Sequence, residues 1–251
     1  MKHNKNHQLL NNVNHQNLQI ITEHGDEFGD NIGTVMTFPT EFGDIQKEYP
    51  IFFRKHPDSE EFQAVAMLGL YQDNNLFLKG NTWQANYIPA DIVRGPFAIG
   101  FQDQSADGGD ERAPVAHIDM NHPRVCEKGG QPVFLEHGGN SPYLDHITKV
   151  FTKIIDGLAV SRAMFATFEA FDLLEPIELE VRLLDNELHK FHGNYTVSPE
   201  KIRALSAENL YKLNQSGFLE AAYLVIASLG NIQKLVNWQN ESIQQKQTSS
   251  T

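Results

Sequence analysis

Cysteine is nearly absent from this sequence, and its scarcity excludes several kinds of site. The single cysteine, Cys126, cannot form a disulfide within the chain. One thiolate is also too few for the zinc sites that use several cysteines. No recognisable motif surrounds Cys126, so we interpret it as a structural thiol rather than a nucleophile. The composition favours a reducing compartment, and we expect a cytoplasmic protein.

Basic residues and long apolar runs are scarce as well. Lys and Arg number 20 against 32 Asp and Glu, which leaves a formal net charge of -12. Such a chain repels phosphate backbones, so no nucleic-acid partner is expected. No apolar run reaches the length of a membrane span, and the first residues lack the apolar core of a signal peptide. We therefore expect no membrane insertion, and export without a cleaved signal is the alternative location.

The familiar catalytic motifs are missing too. The sequence contains no Gly-rich phosphate loop, no His-Glu-x-x-His and no Gly-x-Ser-x-Gly elbow. This favours a non-catalytic protein over an enzyme.

What is present is an aromatic-rich chain whose two halves differ in pattern. Short apolar runs, such as Tyr49–Lys55 and Phe62–Tyr71, lie between turn residues and predict a strand-rich N-terminal half. Ser141-Pro142 then starts an amphipathic helix, broken near Gly157. Later helices enclose a β-hairpin around residues 185–187, so the fold class is α+β. We expect one domain over residues 18–242, with flexible tails at 1–17 and 243–251.

Four stretches in order resemble the SapC family. The central one is Trp83–Phe97 (WQANYIPADIVRGPF), with a Trp, an aromatic-hydrophobic-Pro step and an Arg shortly before Pro-Phe. The others are EYPIFFRK, AVAMLGLYQDNNLF and the C-terminal stretch Leu173–Leu235, which includes GFLEAAYLVIASLGNIQKL. The resemblance covers roughly residues 35–238. It implies an association with bacterial surface layers and genes encoded near those of outer-membrane receptors and halogenase-like proteins, and hence an accessory or binding role.

The central stretch also supplies our candidate ligand-binding cluster, which is Trp83, Tyr87, Arg94 and Phe97. In a structural interpretation, which we favour, the aromatic residues pack in the core and Arg94 holds backbone carbonyls at the Gly95-Pro96 turn. In a binding interpretation, Arg94 grips a carboxylate or phosphate at a pocket edge, while the aromatic rings form apolar walls.

Two metal sites are alternatives to a protein without a cofactor. His117 and Asp119 are two apart on a predicted strand, so both reach one face, and His189 or His192 could complete the facial triad of an iron(II) oxygenase. The acidic loop with Asp103, Asp107 and Asp110 resembles half of a calcium-binding loop, but Pro114 stands where the bidentate Glu belongs.

From these observations we expect a non-catalytic binding or accessory protein of a bacterial cell-envelope, surface-layer or uptake system. Its partner would be another protein or a small envelope-related ligand, and it would form a homo-oligomer. The alternatives are a non-haem iron-dependent oxygenase and an exported structural component of the surface layer.

Overall fold

The computed structural model describes residues 5–103, 112–184 and 188–249, with the backbone alone at 101–103, 112–114 and 249. The chain divides into two compact units. The first unit contains residues 1–30, 80–82 and 92–153, and the second contains residues 31–79, 83–91 and 154–251. The chain crosses between the units several times, and no linker visible in the composition marks these crossings.

The strands, in chain order, are β1 His7–Leu9, β2 Gln19–Ile20, β3 Thr34–Thr37, β4 Ile51–Lys55, β5 Phe62–Met67, β6 Leu78–Lys79, β7 Thr82–Trp83, β8 Phe97–Asp103, β9 Arg112–Asp119, β10 Val125–Cys126, β11 Gln131–Pro132, β12 Leu174–Arg182 and β13 Leu188–Val197. The α-helices are α1 Phe42–Ile45, α2 Ala90–Val93, α3 Pro142–Ala170, α4 Pro199–Arg203, α5 Ala207–Gln215, α6 Phe218–Ser228 and α7 Ile232–Ser249. Short 3-10 helices occur at Asp26–Phe28, Pro39–Glu41 and Leu229–Asn231.

This order confirms the α+β class, with a strand-rich N-terminal half and a helix-rich C-terminal half that contains a hairpin. Helix α3 starts at Pro142, and Ser141 caps it by accepting a hydrogen bond from the Leu144 backbone N at 3.2 Å. The expected break near Gly157 was wrong, since α3 is continuous there. A Cβ at Gly157 would lie 2.5 Å from the Cβ of Phe38, so glycine permits close packing rather than a break.

The first unit has two small antiparallel sheets, with strand orders β1-β9-β8 and β10-β2-β11. The N-terminal part of α3 packs in the same unit. Apolar side chains from these elements form one buried cluster, which consists of Leu18, Ile20, Phe97, Ile118, Val133, Phe134, Leu144, Ile147 and Phe151. Residues 1–17 were predicted to be a tail, but strand β1 lies among them and its backbone pairs with β9. The composition of a segment does not reveal backbone hydrogen bonds of this kind.

The second unit is built on one antiparallel sheet with strand order β12-β13-β4-β5-β3. The C-terminal part of α3 packs on one face, where Phe53 contacts the rings of Phe165 and Phe168 at centroid distances of 4.9 and 6.2 Å. Because side chains alternate along a strand, Arg54 lies on the opposite face. The sheet therefore has two distinct faces, and each face borders a cavity.

The C-terminal helices follow the second unit's hairpin. Ser206 caps α5 by accepting a hydrogen bond from the Asn209 backbone N at 3.2 Å. Helix α6 is not covered on every side, since Tyr223 is 51% exposed. Helix α7 continues to Ser249, beyond the start of the tail predicted at 243–251. Thr248 donates to the backbone oxygen of Gln244 at 3.2 Å in that last turn.

Candidate functional site

Trp83 and Tyr87 lie in the second unit, where Tyr49 connects them. Trp83 Nε1 donates to the Tyr49 hydroxyl at 2.8 Å, and that hydroxyl donates to the backbone oxygen of Tyr87 at 2.6 Å. Trp83 and Tyr49 are buried. Burial raises the pKa of Tyr49, so its hydroxyl stays protonated and can both accept and donate. These are contacts of the kind that the structural interpretation of the cluster requires.

The Tyr87 hydroxyl in turn donates to Glu41, a carboxylate that is only 1% exposed. This hydrogen bond is 2.7 Å long. Glu41 also accepts from Thr37 Oγ1 at 2.7 Å and from the Ala90 backbone N at 3.0 Å. Burial, together with the charge of Glu41, raises the pKa of Tyr87 and keeps it a donor. Neutral donors thus replace the water around a buried carboxylate and fix the chain path through residues 83–90.

Arg94 and Phe97 belong to the first unit. Arg94 Nη1 donates to the backbone oxygen of Phe97 at 2.9 Å, across a turn in which Gly95 has a φ of 53°. Glycine suits this left-handed conformation. Phe97 is fully buried, and its ring lies 6.2 Å from that of Tyr143. The cluster predicted from the sequence is therefore divided between the two units, and each half makes structural contacts within its own unit.

The proposed iron ligands are likewise divided. His117 and Asp119 lie on β9 in the first unit, whereas His189 and His192 lie on β13 in the second. Among the side chains that the structure describes, no group of three or more His, Cys, Asp or Glu is arranged to hold a metal ion. The exposed His192 Nδ1 lies 3.4 Å from Glu178 Oε1.

Asp119 has a structural contact of its own. Its Oδ1 accepts from the backbone N of Asn6 at 2.8 Å and from that of Asn121 at 3.1 Å. Burial opposes ionisation of Asp119, but these hydrogen bonds lower its pKa below the usual value, so the carboxylate is charged. Of the calcium candidates, Asp107 and Asp110 lie outside the described residues, and only the backbone of Asp103 is described.

A buried ion pair in the first unit was not predicted from the sequence. Asp30 and Arg124 are 4% and 5% exposed, and Arg124 Nη2 donates to Asp30 Oδ2 at 2.7 Å. The same oxygen accepts from His24 Nδ1 at 3.1 Å and from the Gly25 backbone N at 3.0 Å. Burial would raise the pKa of Asp30, but the His24 hydrogen bond and the Arg124 charge together lower it below 3.8.

Arg124 is also held on its other sides. Its Nη1 donates to the backbone oxygens of Ile21 and Glu23, and its guanidinium lies 4.9 Å from the centre of the Phe28 ring. Both terminal nitrogens and one face of this guanidinium thus contact other groups of the protein. The sequence gives little signal for such a pair, because Asp30 and Arg124 are 94 positions apart.

A cleft in the second unit lies between one end of the sheet and α3. We call it the aromatic cleft, and its volume is about 410 Å³. Phe62 and Phe165 form its floor, with ring centroids 5.8 Å apart and planes inclined by 25°. Phe165 is buried, Phe62 is half-buried and Leu158 is 42% exposed beside them. An apolar floor open to solvent on one side is typical of a ligand site.

Charged and hydroxyl groups surround this apolar floor. Helix α3 contributes one face, whose residues recur at three- and four-residue steps and comprise Leu158, Ser161, Arg162, Phe165, Ala166 and Glu169. The β4–β5 turn contributes His56, Ser59 and Glu61. The apolar members of the helix face were visible in the sequence, but the opposing turn could be assigned only once the strands were paired.

The comparisons with known proteins agree with the pattern of the four stretches. Among the described residues, no helix combines the length and the apolar character needed to cross a bilayer. No curated protein and no solved structure shows a significant match to the chain. The SapC family model matches residues 10–235, which is most of the sequence and includes elements of both units. The chain therefore belongs to the SapC family.

Proposed function

We propose that this protein is a non-catalytic binding or accessory protein of a bacterial envelope, surface-layer or uptake system, and that its ligand occupies the aromatic cleft. The observation that carries this proposal is the apolar floor of Phe62 and Phe165 beside the exposed Leu158, bordered by charged side chains on two separate elements. Its volume of about 410 Å³ is in the range of small-molecule sites.

The lining residues favour an amphipathic ligand. A flat or acyl group would cover the half-buried face of Phe62, where burial of apolar area provides the affinity. An acidic group would contact Arg162, which is exposed and forms no ion pair with any residue that the structure describes. The hydroxyls of Ser59 and Ser161 also line the cleft and can orient such a ligand.

Membership of the SapC family supports the envelope context, while the scarcity of cysteine supports a cytoplasmic location. In this proposal the protein works on the inner side of the envelope, with another protein of the same system as its partner. Proteolysis of intact cells tests the location: the chain should resist added protease until the cells are lysed. Cleavage on intact cells would instead favour the exported structural component.

A substitution that fills the cleft tests the site itself. Ala166 is exposed on the lining face of α3, so Ala166→Trp should fill the space without disturbing the core. Ala163 is exposed on the same helix but does not line the cleft, so Ala163→Trp is the matched control. We expect an anilinonaphthalene sulfonate probe to bind the native chain with a rise in fluorescence. Ala166→Trp should weaken this binding about tenfold or more, and Ala163→Trp should not.

Arg162→Gln should also weaken the binding of this anionic probe, because it removes the cation at the rim. Equal probe affinity in the native chain and in the Ala166→Trp variant would contradict the proposal that the aromatic cleft is the ligand site.

A further inference from the structure

Arg54, on the face of the sheet opposite to α3, has an unusual set of partners. It is half-buried in the second unit. Its Nε donates to Asn194 Oδ1 at 2.8 Å, and its Nη1 contacts Thr34 Oγ1 at 3.4 Å. Both partners are neutral. Within the described part of the chain, no carboxylate lies at ion-pairing distance from this guanidinium.

A guanidinium has five N–H donors, so these two contacts leave several unused. Burial lowers the pKa of Arg54, which means that the charged form is less well solvated here than in water. Arginine nevertheless remains protonated in proteins. An anion that reaches the unused donors would relieve this poor solvation, and the planar fork matches carboxylate and phosphate oxygens.

The geometry supplies a place for that anion. A cavity of about 530 Å³ adjoins Arg54, and its lining includes Thr34, Met67, Tyr71, Asp73 and Phe191. We call this space the Arg54 cavity. Its volume is in the range of small-molecule sites, so it can hold an anion together with the organic group that carries it.

The loop on the far side of the cavity is fixed by backbone contacts. The Gly33 backbone N donates to the backbone oxygen of Gln72 at 2.6 Å, and the Gly69 backbone N donates to the backbone oxygen of Gly33 at 3.1 Å. A Cβ at Gly33 would lie 1.8 Å from the Tyr71 backbone oxygen, so only glycine allows this approach. A wall fixed in this way holds its shape without a ligand, which reduces the entropy that binding must overcome.

We propose that the Arg54 cavity is a binding site for a small oxyanion, a carboxylate or a phosphate, which Arg54 binds through the donors that Asn194 and Thr34 leave unused. This site is separate from the aromatic cleft, since none of the residues that line one cavity also lines the other. Two of the stretches that resemble the SapC family build it, EYPIFFRK through Arg54 and AVAMLGLYQDNNLF through the loop.

Calorimetric titration of the full chain with sodium phosphate, and separately with sodium succinate, tests this proposal. We expect saturable binding of one of the two anions at one site per chain, and the anion that binds more tightly identifies the chemical source. Arg54→Met should weaken that binding about ten- to a hundredfold, because it removes charge-assisted hydrogen bonds. The Arg182→Met variant, at an exposed position of β12 that lines neither cavity, should bind like the native chain.

Asp73 provides a second variant that does not depend on the folding of Arg54→Met. It is exposed, lines the cavity and makes no hydrogen bond or ion pair with the described residues. Because its charge repels an incoming anion, Asp73→Asn should tighten binding severalfold. The proposal is overturned if neither anion binds saturably, or if Asp73→Asn leaves the affinity unchanged. Probe binding in the aromatic cleft is measured independently, so the two proposals can fail separately.

Discussion

Arg124 in the first unit and Arg54 in the second are both withdrawn from solvent, but their surroundings differ. Arg124 is 5% exposed and meets Asp30, two backbone oxygens and the Phe28 ring. Arg54 has an amide and a hydroxyl as its partners and borders a cavity. A guanidinium paired with a buried carboxylate and with backbone oxygens holds the fold together. One with unused donors beside a cavity has the chemistry of a binding site.

The largest expected loss of stability comes from removing the carboxylate that pairs with Arg124. Asp30→Asn leaves a buried guanidinium without its counter-charge, so the free energy of unfolding should fall by about 3–5 kcal/mol. Urea unfolding measures this loss. Asp73→Asn is the matched control in the Arg54 cavity, and it should change the stability by no more than about 0.5 kcal/mol. Similar unfolding midpoints for the two variants would contradict the structural role of Asp30.

The same pair should show a characteristic pH dependence. The hydrogen bond from His24 and the charge of Arg124 hold the folded-state pKa of Asp30 below its unfolded value, which is near 3.8. Asp30 therefore contributes its full stabilisation above pH 3.8 and loses it as the pH falls through the lower folded-state pKa. The stability difference between the native chain and Asp30→Asn should be constant above pH 3.8 and shrink below it. A difference that had already vanished at neutral pH would contradict this assignment.

Glu41 adds to the comparison a buried carboxylate that accepts hydrogen bonds from neutral groups. Tyr87→Phe removes one of the hydrogen-bond donors to Glu41, so the free energy of unfolding should fall by about 1–3 kcal/mol. Tyr211→Phe is the control, because Tyr211 is 64% exposed on α5 and should matter little. Thermal or urea unfolding of the two variants measures this difference in stability. Equal stabilities would show that the hydrogen bond from Tyr87 to Glu41 does not stabilise the fold.

Loss of the Arg94 side chain should also lower the stability, but by a smaller amount. Its loss leaves the buried carbonyl of Phe97 with a weaker set of donors, so Arg94→Ala should lower the stability by about 1–2 kcal/mol and the melting temperature by a few degrees. Arg182→Ala, on an exposed position of β12, is the control. An unchanged or higher melting temperature would favour the binding interpretation of Arg94.

Local signals predicted much of the fold. Ser141-Pro142 marked the start of α3, and the apolar runs around Phe53 and Phe62 marked β4 and β5. These features depend on neighbouring residues, which a sequence displays directly. The reason for glycine at 157 could not be foreseen, since the close contact that requires it involves Phe38, a residue far away in the chain.

The candidate sites were less predictable for the same reason. The interpretation of Trp83 and Tyr87 as packed residues agrees with their contacts, but the division of their cluster between two units had no local signal. Arg54 stood within a recognised stretch, yet only strand pairing shows that its hydrogen-bond partners are Asn194 and Thr34. Within the described residues, no carboxylate lies at ion-pairing distance from it. A missing counter-ion is a property of three-dimensional surroundings rather than of a motif.

The measurement that tests the central claim most directly is thermal melting of the native chain, Arg54→Met and Arg182→Met, each in phosphate, succinate and chloride at equal ionic strength. An anion that binds only the folded state raises the melting temperature, because it stabilises that state by RT ln(1 + [anion]/Kd). We predict that phosphate or succinate raises it for the native chain and for Arg182→Met but not for Arg54→Met. Equal responses in all three chains would contradict the claim that Arg54 forms an oxyanion site.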